Sequence, residues 1–224
     1  MTDTPSIDDL LAGPLAGLTP LEGEIFRDRA ALYWPDVLRP LRRLYGDRPD
    51  FDDICRRLLD IVAAGYAARP AELRRLDLRR QGQPDWFQQP DMLGYVCYAD
   101  RFAGDLRGVA ERIPYLNELG VTYLHLMPLL QPRPGANDGG YAVADYRAVN
   151  PALGTMADLA ALAADLRANG ISLCIDLVCN HTAKEHEWAR QAAAGDPIYQ
   201  AYYLMYPDRA QPDAYERTLP EVFP

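Results

Sequence analysis

The stretch CIDLVCNHT, residues 174–182, keeps one carboxylate, Asp176, inside an apolar run and sets Asn180 and His181 just beyond it. A carboxylate and an imidazole placed together suit proton transfer, metal ligation or hydrogen bonding to a polar ligand. The plainer alternative is a loop, with Asp176 accepting backbone N–H bonds and His181 bearing no ligand, because buried polar groups need partners. A second stretch, Asn137-Asp138-Gly139-Gly140-Tyr141, reads by spacing alone as a turn. Yet Tyr141 follows it on a long loop, where an aromatic face can stack under a sugar ring, and long loops in compact domains are usually functional.

Metal chemistry fits poorly. His181, Glu185 and His186 do not form H-E-x-x-H, and His181 precedes the start of the next helix, so no helical alignment of ligands results. No glycine-rich phosphate loop and no serine nucleophile elbow occurs. We therefore expect neither metal nor cofactor.

The elements that must position these residues alternate in type. Met92–Tyr98, Val121–Met127 and Ile171–Val178 are strand-like apolar runs. Between them, 104–120 carries Leu106, Val109, Ile113, Leu116 and Leu119 at helical spacing, and 155–170 opens on the capping-box analogue Thr155…Asp158 and closes at Gly170. A further helix is predicted after Thr182…Glu185, another capping-box pattern, ending at Gly195. Strand, helix, strand, helix, strand means βαβ units and a parallel sheet, hence an α/β fold. Such folds display chemistry at the C-terminal ends of their strands, where Asp176 and His181 fall.

Residues 1 to about 85 read as helices only. One helix runs from Asp50, a candidate N-cap, to Ala68 with Phe51, Ile54, Leu58, Ile61 and Val62 on its apolar face. Another follows Pro70 and stops near Gly82, and 21–45 is predicted to hold two more. The prolines of 83–91 mark a boundary. The expected organisation is a helical domain over 1–88, βα units over 89–181, and an insertion beginning in 182–224.

The 224-residue chain is 49% hydrophobic and 25% charged, ordinary for a globular protein. A net charge of -9 argues against nucleic acid and against a polybasic membrane surface. The four cysteines form no close pair, which favours free thiols. The acidic N-terminus does not read as a signal peptide, and no apolar run reaches the ~20 residues of a membrane span, so the cytoplasm is the expected location.

DGGYAVADYRAVNPALGT (138–155) and DLVCNHT (176–182) together resemble the α-amylase superfamily, glycoside hydrolase family 13, the second matching a family signature at Asp176, Asn180 and His181. Within that family the chain is most similar to the amylosucrase subgroup, through 98–129, 185–197, 206–224 and the helical head. The resemblance implies the first part, about three strands, of a (β/α)8 barrel. It implies a retaining glucosyltransferase that cleaves sucrose and extends an α-1,4-glucan acceptor. By its motifs Asp138 shapes the floor of a glucose pocket, Tyr141 is the stacking platform, and His181 hydrogen-bonds a glucose hydroxyl. Asp176 and Asn180 hold the framework; some α-amylases bind calcium at the position of Asn180, but the subgroup implies none here.

The two carboxylates of a retaining mechanism come from later strands in this family, so no catalytic residue is assigned in this chain, and residues 1–224 alone are expected to be inactive. Two alternatives stand beside this reading. One is a non-catalytic remnant that binds carbohydrate or another protein, and the other is a sucrose hydrolase.

Overall fold

The structure is a computed structural model that describes Leu15 and residues 18–218; the acidic N-terminal stretch and the last residues of the expected insertion lie outside the described residues. The chain divides into two compact units, residues 1–86 and 87–224.

The first unit is helical. Helix α1 (Pro20–Tyr45) starts where Thr19 and Glu22 cap each other: the Glu22 N–H donates to Thr19 Oγ1 at 3.3 Å and the Thr19 N–H to Glu22 Oε2 at 3.0 Å. It is one helix where two were predicted, with Pro35 and Pro40 inside it. A proline strips the hydrogen bond from the carbonyl four residues back. Here those carbonyls belong to Ala31 and Asp36, both exposed, so water can satisfy them.

Helix α2 (Phe51–Ala68) buries Phe51, Cys55, Leu59, Ala63 and Tyr66, while the predicted face residues Ile61 and Val62 are 69% and 50% exposed. The apolar stripe is therefore rotated from the expected one. Asp50 makes no capping bond because its carboxylate takes the Arg48 guanidinium instead, at 2.9 and 3.0 Å. Phe26 meets Tyr66 with ring centroids 5.0 Å apart. Helix α3 (Ala71–Gly82) is tied to α1 by Arg74, which reaches Glu22 at 2.7 Å.

The second unit holds the parallel sheet. Strands β1 (Gly94–Cys97) and β2 (Tyr123–Leu126) pair in register, Gly94 against Tyr123. A later strand, Ser172–Ile175, pairs with the other edge of β2, Tyr123 against Ser172, so β2 is central. The alternation of elements predicted this sheet, and all its pairs are parallel.

The helix predicted over 104–120 is broken. Helix α4 (Ala99–Ala103) precedes it, and two helices, α5 (Leu106–Glu111) and α6 (Ile113–Glu118), replace it, with Arg112 at the joint. Pro114 supplies the reason, since a ring without an N–H belongs in the first turn of a helix and not in its middle.

Between β2 and the next helix, residues expected to be loop form an antiparallel pair, β3 (Leu130–Pro132) and β4 (Val143–Val149), whose register shifts twice over three residues. Helix α7 (Met156–Ala168) carries the predicted box, with the Asp158 N–H on Thr155 Oγ1 at 3.2 Å and the Thr155 N–H on Asp158 Oδ2 at 2.9 Å. Ser172–Ile175 is then β5.

The predicted box at Thr182 and Glu185 does not form. Glu185 pairs with Arg133 at 3.1 Å, and helix α8 (Glu187–Ala193) begins later, where His186 Nδ1 accepts the Trp188 N–H at 3.1 Å. Helices α9 (Pro197–Gln200) and α10 (Ala210–Glu216) follow.

The core lies on one side of the sheet. Leu106, Val109 and Leu116 from the helices meet Leu124 and Leu126 of β2 and Leu162 and Leu166 of α7, all essentially inaccessible. Each such leucine stabilises the fold by about 1.5–3 kcal/mol relative to exposure. The opposite side differs. In the cross-sheet row Val96–His125–Cys174, Val96 is 60% exposed and His125 half-buried. No helix among the described residues is long and apolar enough to cross a membrane.

Candidate active site

The three parallel strands end level with one another, Cys97 beside Leu126 beside Ile175, so the segments after them leave from one rim. Tyr98 follows β1 directly and Asp176 follows β5 directly. An open cleft of about 430 Å³ lies at this rim, lined by Tyr98, Asp138, Gly139, Tyr141 and His181.

The 137–141 turn has an unusual backbone. Asp138 is the one non-glycine residue with positive φ among the described residues (54°), and Gly139 and Gly140 follow at 65° and 96°. Aspartate tolerates the left-handed region better than most side chains. Asn137 holds the turn: its carbonyl oxygen accepts the Gly140 N–H at 3.0 Å, and its amide donates to the Gly135 carbonyl at 3.0 Å. A Cβ at Gly139 would sit 3.0 Å from the Tyr98 hydroxyl, so a larger residue there would make the Tyr98 side chain move. The turn thereby aims Asp138 and Tyr141 into the same cleft.

Asp176 is held from two sides. His125 Nε2 lies 2.9 Å from Oδ1, and the Tyr141 hydroxyl donates to Oδ2 at 2.8 Å. Burial, and then this bond, push the Tyr141 phenol up to about 12. Asp176 therefore works on its neighbours; neither of its oxygens is idle.

His181 stands across the cleft, with Asn180 Nδ2 3.4 Å from its Nδ1. Its backbone is fastened by Tyr146, whose hydroxyl lies 2.9 Å from the His181 carbonyl and 2.6 Å from that of Val178. Burial raises the Tyr146 phenol too, which keeps it a donor.

The residues singled out in the sequence are thus placed as follows. Asp138, Tyr141 and His181 share the cleft, Asp176 sits behind Tyr141, and Asn180 is exposed beside His181. His125, Tyr98 and Tyr146 were not singled out. A lone histidine in the apolar run VTYLHLM was the visible signal for the first; nothing local marks the two tyrosines. Among the described residues, no three His, Cys, Asp or Glu side chains gather as a metal ion would require, and the four cysteines are free.

Such an arrangement suits a neutral polyhydroxyl ligand: two tyrosine rings, one carboxylate and one imidazole around an open cleft. Residues 80–222 match the alpha-amylase catalytic domain. The chain is 35% identical over 129 residues to the trehalose-6-phosphate hydrolase of Escherichia coli strain K12, covering 54% of this chain and 22% of that protein. It is 37% identical over 107 residues to the oligo-1,6-glucosidase of Parageobacillus thermoglucosidasius, covering 47% of this chain and 19% of the other. Among solved structures, a family GH13_31 enzyme superposes with a TM-score of 0.50 at 35% identity, covering 57% of this chain and 25% of that one.

The chain therefore spans about a quarter or less of the length of these relatives. Its parallel βα units are those of a partial (β/α)8 barrel. With the catalytic-domain match covering most of its length, this chain belongs to the alpha-amylase family, glycoside hydrolase family 13.

Proposed function

We propose that this segment forms the glucosyl-binding end of a retaining, amylosucrase-like glucosyltransferase that takes glucose from sucrose and adds it to an α-1,4-glucan. The observation that carries this reading is the cleft in which Asp138, Tyr141 and His181 meet at the rim of the parallel strands. Tyr141 stacks under the glucosyl ring, while Asp138 and His181 take its hydroxyls. Asp176, occupied by His125 and Tyr141, buttresses the platform. Sucrose and the glucan acceptor are accordingly the partners, and the free thiols suit the cytoplasm.

A retaining mechanism needs a nucleophile and an acid/base about 5–5.5 Å apart. The family motifs assign neither role to a residue of this segment, so residues 1–224 on their own should release no fructose. The helical residues 1–88 act as a separate head, 89–181 supply the barrel units, and 182–224 open an insertion.

The test is to incubate the intact protein carrying this segment with sucrose, maltose or trehalose 6-phosphate and to quantify free fructose, free glucose and polymer. Fructose in excess of glucose, with α-1,4-glucan formed, is the expected result. Equal fructose and glucose would identify a sucrose hydrolase, and cleavage of another glucoside with no fructose from sucrose would sink the reading. Tyr141→Ala should raise KM for the cleaved sugar by roughly two- to tenfold, because aromatic contacts supply about 0.5–1.5 kcal/mol beyond burial.

A further inference from the structure

We propose that His125 is a positioning residue for this cleft, which through Asp176 fixes the ring of Tyr141. The inference rests on the glucosyl-binding reading above.

Three elements converge on one carboxylate. His125 comes from β2, Asp176 from the exit of β5, and Tyr141 from the turn before β4. The two bonds use different oxygens, 2.9 Å from His125 Nε2 to Oδ1 and 2.8 Å from the Tyr141 hydroxyl to Oδ2. A carboxylate only accepts, so both donors point their hydrogens at Asp176. With one donor, the carboxylate is free to turn about its Cβ–Cγ bond. With one on each oxygen its plane is set, and so is the place of the Tyr141 hydroxyl. The Tyr141 ring borders the cleft, whereas neither His125 nor Asp176 lines it. His125 therefore acts at one remove from any ligand.

Its location makes it a firm anchor. Strand β2 is paired on both sides, and His125 lies between Val96 and Cys174 in the register, neither of which offers Asp176 a comparable donor. The imidazole reaches Asp176 across 51 positions of sequence. An apolar side chain at 125 would suit a strand equally well, so a histidine there calls for a polar task, and the Asp176 bond is that task.

The experiment uses the intact protein and four forms: wild type, His125→Leu, Tyr141→Phe and the double variant, with His125→Gln as a rescue. His125→Leu should raise KM for the cleaved sugar about tenfold, the worth of one bond to a charged group, with kcat changed far less. His125→Gln keeps an N–H at the end of the side chain and should recover most of the loss. In the Tyr141→Phe background, where the link is already cut, His125→Leu should add less than about twofold, since coupled sites are not additive.

An unchanged KM in His125→Leu, or the full effect persisting in the Tyr141→Phe background, overturns the proposal. Thermal unfolding of the same four forms gives a second cycle that needs no turnover. Should the wild type cleave none of the sugars offered, the glucosyl-binding reading fails, and an additive unfolding cycle overturns the clamp independently. Where His125→Leu does not fold, His125→Asn, whose amide is too short to reach Oδ1, takes its place with the same outcomes.

Discussion

The hydroxyl of Tyr146, on β4, lies 2.9 Å from the carbonyl oxygen of His181 and 2.6 Å from that of Val178, across more than thirty positions of sequence. Its ring also packs edge-on against buried His186, with centroids 5.6 Å apart. The antiparallel pair thus holds the segment that carries Asn180 and His181 in shape. Tyr146→Phe keeps the ring and removes the donor. It should destabilise the protein by about 1–3 kcal/mol, the cost of leaving partly buried carbonyls unpaired, and weaken sugar binding by moving His181. Denaturant unfolding and KM are the measurements.

The glycines of the turn separate strain from site chemistry. Gly135 (φ 77°) and Gly139 (φ 65°) both need the left-handed region, but a Cβ at Gly135 meets nothing, whereas one at Gly139 meets the Tyr98 hydroxyl. Each change to alanine should cost about 1–2 kcal/mol in backbone strain. Tyr98 can swing aside, so Gly139→Ala should be little worse for stability than Gly135→Ala. Only Gly139→Ala should raise KM, because Tyr98 lines the cleft.

Alkali should reveal the Tyr141–Asp176 bond. The Tyr141 phenol is raised from 10.0 to about 12, so the folded protein holds that proton more tightly than the unfolded chain. Its contribution is complete below pH 10 and is lost as pH rises through about 12. The stability difference between wild type and Tyr141→Phe should be flat up to pH 10 and shrink above it, as read by unfolding at a series of pH values. A difference constant through that window would contradict the assignment.

Thr155→Ala should cost about 1 kcal/mol by removing the N-cap of α7. Asp158 is held down to about 2, first by the Thr155 hydroxyl and next by Arg107. A lowered carboxylate contributes above its ordinary 3.8 and loses that contribution as pH falls towards about 2. The penalty of Thr155→Ala should therefore fade in acid, while sugar binding at neutral pH stays as in the wild type.

What could be read in the sequence was what is local. The Thr155–Asp158 cap joins residues three apart, and its pattern formed as written. The same pattern at Thr182 and Glu185 misled, because Arg133 draws Glu185 away and the Thr182 hydroxyl sits 2.9 Å from that of Tyr203. Helical periodicity hid the break at Arg112 although Pro114 stood in plain view. Strands β3 and β4 escaped because prolines and two register shifts blur any alternation. At the cleft, Asp138, Tyr141, Asp176 and His181 stood out by motif. Their supports His125 and Tyr146 did not, since contacts spanning 32 to 51 positions leave no spacing to recognise.

The level ending of Cys97, Leu126 and Ile175 has a consequence for how such a molecule changes over generations. The covering segments start from one common plane, yet they differ greatly: β1 passes almost at once into α4, whereas residues 127–155 intervene between β2 and α7. Leu129, Val149 and Leu153 of the second segment are buried in the core, so only changes between them, as in 133–139, leave the packed leucines beneath untouched. The rim can thus be altered at the outer parts of these segments, with folding insulated from each change.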